Sequence, residues 1–96
     1  MNKENILSYL VEYKELYKNK YHIKRIGLFG SVARDDFTDK SDIDIVVELE
    51  KQDFFELIGI KQDIENKFHK AVDIVSYREK MNPFLKQRIN KEAIYV

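Results

Sequence analysis

The N-terminal segment repeats its apolar positions with the period of a helix. Apolar side chains return every three or four residues, which predicts an amphipathic helix over residues 3–19. The next apolar run, Ile23–Phe29, is short, rich in β-branched residues and closed by a glycine, as is typical of a strand. The pattern therefore begins with a helix and a strand. The expected helical stripe comprises Ile6, Leu10, Tyr13 and Tyr17, widened by Leu7 and Leu16.

The rest of the chain continues this alternation. Ser31 is expected to cap a short helix through about Phe37, and Asp53 to cap a longer one through about Phe68. Further strands are expected at 42–49 and 71–76, a helix at 82–90, and a short strand or coil at 93–96. The alternation predicts an α/β (α+β) fold in which helices pack a small mixed β-sheet. The buried side of the longer helix is expected to consist of Phe54, Leu57, Ile58, Ile64 and Phe68.

Composition narrows the class of protein. The chain has 96 residues, 44% hydrophobic, and no Cys, so residues 1–96 are expected to form one domain with its own core and no disulfide or thiolate metal site. No run approaches the ~18 apolar residues of a membrane span, and the charged N-terminus differs from a signal peptide. These features predict a soluble, cytoplasmic protein. A net charge of zero argues against direct nucleic-acid binding.

The zero net charge hides an acidic centre. Residues 35–56 hold nine acidic and two basic side chains, whereas residues 78–92 hold five basic and two acidic ones. Asp42 and Asp44 are two positions apart in a predicted strand, so they project from the same face, and Asp73 lies in another short apolar strand at the matching parity. Buried carboxylates are costly unless they are paired or bind metal, and a set of oxygen ligands selects Mg²⁺ or Mn²⁺. The three acids could hold two divalent ions on a transferring phosphoryl group.

A second candidate feature follows the first strand. Gly30 permits close approach of the backbone to a ligand, and Ser31 stands at the start of a predicted helix, where amide N–H groups favour phosphate. Arg34 is one turn further on. Taken alone, the Gly30–Ser31 pair is explained as well by an ordinary strand-to-helix turn with a capping serine. Together with Asp42, Asp44 and Asp73, it predicts a phosphate-binding turn beside a metal site.

The run GSVARDDFTDKSDIDIVVE resembles the active-site signature of the polymerase-β-type nucleotidyltransferase superfamily. Its GS-x10-DxD spacing, with Asp73 as third carboxylate, is similar to the minimal (MNT) nucleotidyltransferases, the antitoxins of HEPN/MNT toxin–antitoxin pairs. The resemblance implies transfer of AMP from ATP, with Asp42 and Asp44 binding both of two Mg²⁺ ions and Asp73 completing one site. It further implies that Gly30 and Ser31 hold the β- and γ-phosphates. Asp35 stands where such sequences often carry Gly.

The resemblance also suggests an acceptor. Larger members of the superfamily hold the acceptor with an additional domain that this chain lacks, so another macromolecule is expected to present the hydroxyl. The resemblance points to a tyrosine of a HEPN-type ribonuclease toxin. Two alternatives remain open: an antitoxin that occludes its partner without needing catalysis, and the catalytic subunit of a small-molecule, aminoglycoside-type nucleotidyltransferase. A homo- or hetero-oligomer is compatible with either reading.

Overall fold

Helices and strands alternate in the computed structural model, which describes residues 2–96. The bounds of the strands agree with the sequence pattern to within one residue, except at the two-residue terminal strand. In chain order the elements are α1 (Lys3–Tyr17), β1 (Ile23–Phe29), α2 (Gly30–Ala33), β2 (Ile43–Leu49), α3 (Phe54–Phe68), β3 (Val72–Ser76), α4 (Pro83–Glu92) and β4 (Ile94–Tyr95).

The strands form one mixed sheet in the order β3-β2-β1-β4. β1 pairs antiparallel with both β2 and β4, whereas β2 pairs parallel with β3, so α3 serves as the crossover between two parallel strands. Gly27 lets β4 lie close to β1, because a Cβ there would stand 2.7 Å from the backbone oxygen of Ile94. The predicted mixed sheet is therefore confirmed.

The two faces of the sheet are covered unequally. α1 and α3 pack on one face, where alternate β2 residues meet the larger hydrophobic cluster. The opposite face carries a smaller cluster in which Ile89 of α4 covers Phe29 and Val46. Strand alternation places Asp44, like Val46, on the α4 face. The larger cluster includes Ile6, Leu10 and Tyr13 of α1, Ile43, Ile45 and Val47 of β2, and Leu57, Ile60 and Ile64 of α3.

Side-chain caps fix two helix starts that the sequence predicts. The Asp53 carboxylate accepts hydrogen bonds from the backbone N–H groups of Phe55 and Glu56 at the start of α3. At α4, Asn82 caps the helix and Pro83 occupies the first turn. Both predicted helix starts are thus confirmed, and α4 extends two residues beyond the predicted end.

Four predictions from the sequence pattern are wrong. Ser31 does not cap α2: the helix begins at Gly30, its cap position is Phe29 with no side-chain hydrogen bond, and it ends at Ala33 instead of Phe37. A left-handed backbone at Asp35 (φ 63°) explains why the helix stops. Leu16 is 74% exposed, and Phe54, the first residue of α3, is 69% exposed instead of buried.

No helix within residues 2–96 is long and apolar enough to cross a membrane.

Candidate active site

The predicted carboxylates come together at one end of the sheet. Asp44 of β2 is the register partner of Asp73 on β3 and of Phe29 on β1. Because neighbouring strands lie about 4.8 Å apart, Phe29, Asp44 and Asp73 follow one another across three adjacent strands, and Gly30 comes directly after Phe29. Asp42 is exposed and stands one residue ahead of β2. The parity argument from sequence therefore places Asp44 and Asp73 side by side.

Gly30 is shaped by its contact with Asp44. Its φ is +77°, a conformation that side-chain-bearing residues rarely adopt, and a Cβ there would collide with Oδ2 of Asp44. No other residue type can occupy this position without moving the carboxylate. The glycine at the end of β1 therefore packs directly against the carboxylate on β2, and a change at either residue would disturb the other.

The electrostatics of Asp44 reflect its surroundings. Partial burial raises the pKa of the Asp44 carboxyl above its ordinary value. The neighbouring charge of Asp73 raises that pKa further, as does Asp42, while Arg88 and Arg34 act in the opposite direction. The site therefore holds more negative charge than its own cations balance, and a bound cation would relieve the imbalance.

The three carboxylates are neighbours without converging on one point. Among residues 2–96, no group of three His, Cys, Asp or Glu side chains is gathered tightly enough to hold a metal ion. Mutual repulsion between like charges gives a reason for the separation. The donor set consists entirely of carboxylate oxygens, which suits a hard divalent cation such as Mg²⁺.

Glu92, the last residue of α4, is a member of the site that the sequence pattern did not identify. Its carboxylate accepts a hydrogen bond from the backbone N–H of Gly30 at 3.2 Å and two from Nη1 of Arg34 at 3.0 Å. Arg88 lies 3.8 Å away. The Glu92 carboxylate thus lies between the Gly30 amide and two guanidinium groups. We call the three residues that surround it the anion seat (Gly30, Arg34, Arg88).

Nothing in the local sequence links Glu92 to Gly30, because they are 62 positions apart. The connection comes from β4, whose Ile94 pairs with Leu28 of β1 and so brings the end of α4 to the end of β1. The only available signal was the helical spacing of Arg88 and Glu92, which form an i,i+4 ion pair.

Arg34 and Ser31 differ in how their side chains are used. Arg34 donates from Nε to Asp36 at 3.0 Å as well as to Glu92, and the bond to Asp36 is the largest cause of its raised pKa. The half-buried Ser31 makes no side-chain hydrogen bond within the described residues. The Ser31 hydroxyl is thus available to a ligand, whereas Arg34 would have to exchange an internal partner for one.

Asp35 faces away from the site. Its carboxylate accepts a hydrogen bond from Nζ of Lys3 at 2.8 Å, which ties the loop after α2 to the first turn of α1. Its left-handed backbone also explains why glycine suits this position, since Gly adopts that conformation at no steric cost. The charge added by Asp35 is therefore paired outside the anion seat.

The fold and the site together define an enzyme class. Carboxylates on neighbouring strands lie beside a glycine turn and the anion seat. This is the arrangement expected for transfer of a nucleotidyl group. The family model described as polymerase β nucleotidyltransferase matches residues 12–96. The chain belongs to this family.

Relatives and solved structures agree with that assignment. A Methanocaldococcus jannaschii protein provisionally named protein adenylyltransferase MJ1379 is 37% identical, covering 91% of this chain and 90% of the relative. The protein adenylyltransferase MntA of Thermococcus cleftensis is 27% identical over 97% and 94% of the two chains. A structure provisionally described as a minimal nucleotidyltransferase superposes with a TM-score of 0.77 at 30% identity, covering 98% of this chain and 95% of its own.

Two more distant structures share the fold. One is a toxin–antitoxin with AMP-PNP, with a TM-score of 0.72 at 23% identity over 88% of this chain and 68% of that chain. The other is a tri-AMPylated Shewanella oneidensis HEPN toxin in complex with its MNT antitoxin, with a TM-score of 0.68 at 19% identity over 97% and 70%. At these identities the likeness establishes the fold.

Proposed function

We propose that this protein transfers AMP from ATP to a tyrosine of a HEPN-type ribonuclease toxin and so acts as its antitoxin. The observation that carries the proposal is the register Phe29–Asp44–Asp73, which brings the glycine turn at the end of β1 beside two carboxylates on adjacent strands. The relatives named as protein adenylyltransferases and the neighbour with an AMPylated toxin support this choice of reaction and partner. Both substrates belong to the cytoplasm, where we place the reaction.

The carboxylates would hold the divalent ions. Asp42 and Asp44 would ligate two Mg²⁺ ions, or Mn²⁺, and Asp73 would complete the site of one of them. Bound there, such ions neutralise phosphate charge and lower the pKa of an attacking hydroxyl. Because the donors are oxygen-only, the ligand chemistry fits these ions.

The protein's own groups would place the triphosphate. The Gly30 amide and the Ser31 hydroxyl would donate hydrogen bonds to the β- and γ-phosphates, and Arg34 would add charge once it is released from Glu92. The α-phosphorus would then lie beside Asp44. This arrangement favours a displacement in which the attacking and leaving oxygens are in line.

The transfer step exchanges a phosphoanhydride bond of ATP for a phosphoester bond to the acceptor. The phenolic oxygen of the acceptor forms a bond to the α-phosphorus, while the bond from that phosphorus to the oxygen bridging to the β-phosphate breaks. The bridging oxygen leaves with its electron pair as pyrophosphate. The phenolic proton passes to the neighbouring carboxylate of Asp73 and from there to water.

The experiment combines the protein with its HEPN-type partner, ATP and Mg²⁺, followed by intact-mass measurement. The expected result is a partner that gains one or more AMP units and loses ribonuclease activity. Asp44→Asn should abolish the gain, while Asp39→Asn, at an exposed acid whose side chain makes no hydrogen bond or ion pair among residues 2–96, should leave it unchanged. An inhibited partner of unchanged mass would replace this function with occlusion.

A further inference from the structure

A pocket opens on the β3 side of the carboxylates. It has a volume of about 400 Å³ and lies between the first two turns of α3 and the edge strand β3. Two of the predicted site residues, Asp42 and Asp73, form part of its lining. The other lining residues are Phe54, Leu57, Ile58, Lys61, Val72 and Ile74.

The pocket lies on the side from which the acceptor is expected to approach the α-phosphorus. Across the sheet the order is the Gly30 turn after β1, Asp44 on β2 and Asp73 on the edge strand β3. The pocket lies between β3 and α3, and Asp73 forms part of its lining. In a nucleotidyl transfer the attacking and leaving oxygens stand on opposite sides of the α-phosphorus. With pyrophosphate leaving toward Gly30, the acceptor must approach from the side of Asp73. This pocket is the cavity on that side.

The lining of the pocket selects the kind of acceptor. Most of the wall is apolar, and Phe54 stands at it with 69% of its surface exposed, although a phenyl ring gains by burial. A sugar or a serine would find few polar partners on such a wall, whereas the ring of a phenol would pack against it. The half-buried Lys61 makes no hydrogen bond or ion pair with its side chain among residues 2–96. An ammonium at this place favours the oxygen of a phenol as it loses its proton.

We propose that this pocket is the acceptor subsite and that it binds a tyrosine side chain of the partner protein, with the ring against Phe54 and Ile58 and the hydroxyl directed to Asp73. The proposal rests on the proposed function, since it assigns a place to the acceptor of that reaction. It adds a cause for the choice of tyrosine: the acceptor is selected by an apolar pocket that continues into the metal-binding carboxylates.

The test compares two neighbouring phenylalanines. Phe54 lines the pocket, whereas Phe55 is 84% exposed and does not. We expect Phe54→Ala to raise the KM for the partner protein about tenfold, as for loss of one partly buried ring, and Phe55→Ala to change it less than about twofold. Both variants should retain wild-type ATP–Mg²⁺ affinity by calorimetry and an unchanged melting temperature.

A small probe tests the pocket without the protein interface. N-acetyl-tyrosinamide at millimolar concentration should inhibit AMP transfer by the wild type and not by Phe54→Ala, and N-acetyl-serinamide should inhibit neither. Equal KM values for the two alanine variants, or inhibition independent of Phe54, would overturn the pocket assignment while ATP binding and transfer still supported the proposed function. A wild type that binds no ATP–Mg²⁺ would instead overturn the proposed function, and the subsite with it.

Discussion

The two sides of Asp44 differ in chemical character: one is charged and polar, and the other is mainly apolar. On the β1 side, the anion seat contains an amide and two guanidinium groups that already contact the Glu92 carboxylate. On the β3 side, the pocket is mainly apolar, and the amine of Lys61 has no partner among the described residues. In the proposed reaction, the nucleotide would therefore compete with an internal anion, whereas the acceptor would enter an apolar surface that gains by being covered. Affinity for the nucleotide and choice of acceptor can thus be altered separately.

The largest effect is expected at Asp44, which both flanks share. Asp44→Asn should lower AMP transfer by roughly a thousandfold or more, because several kcal/mol of charge stabilisation in the transition state are lost. The variant should nevertheless fold. Transfer rates measured by intact mass give the comparison, with Asp39→Asn as control.

The same variant has an expected signature in stability. A carboxyl whose pKa is raised by folding destabilises the native state once it ionises, so its cost is present above pH 3.8, the ordinary pKa, and disappears in more acidic solution. In metal-free buffer at pH 7, Asp44→Asn should therefore melt at or above the wild-type temperature, and the difference should vanish toward pH 3. A clear loss of stability at pH 7 would indicate that Asp44 supports the fold.

Gly30→Ala is expected to have the next largest effect. The left-handed backbone costs alanine about 1–2 kcal/mol, and the added Cβ displaces the Asp44 carboxylate. Both the melting temperature and AMP transfer should fall. Gly59→Ala is the matched control, since it lies within α3 at an ordinary helical position where its nearest contact would be the Tyr21 hydroxyl at 3.0 Å. Retention of full activity by Gly30→Ala would show that the turn does not hold the nucleotide.

The candidate site shows which residues can be predicted from sequence and which cannot. The i,i+2 spacing of Asp42 and Asp44 and the parity of Asp73 depend only on strand geometry, which local sequence determines, so the site core was predictable. Glu92 was not predictable, since its place depends on β4 pairing with β1. The exposure of Phe54 was missed for a similar reason: helical period shows which residues share a face but not where the sheet beneath ends.

A smaller effect, on nucleotide affinity, is expected when the negative charge of Glu92 is removed. Glu92→Gln keeps an acceptor for the Gly30 amide but removes the charge beside the phosphates, so ATP–Mg²⁺ should bind about two- to fivefold more tightly. Calorimetry at low and moderate salt provides the measurement. Glu79→Gln, an acid with a 94% exposed side chain before α4, is the control. Weaker binding by Glu92→Gln would mean that Glu92 positions Arg34 for the nucleotide instead of competing with it.

The smallest effect is expected at Asp35. Because its carboxylate is paired with Lys3, Asp35→Gly should change ATP–Mg²⁺ affinity by less than about twofold. Relief of the left-handed backbone should offset the lost ion pair in the melting temperature. A larger change in nucleotide affinity would place the Asp35 carboxylate within the electrostatic reach of the anion seat.

The most direct test of the account is to locate the transferred group. After reaction of the wild-type protein with its HEPN partner, ATP and Mg²⁺, fragmentation mass spectrometry should find AMP on a tyrosine of the partner. The adduct should be absent in EDTA and with Asp44→Asn, and it should form more slowly with Phe54→Ala at unchanged ATP affinity. AMP on a serine or threonine would contradict the acceptor pocket, and a partner without AMP would contradict the proposed reaction.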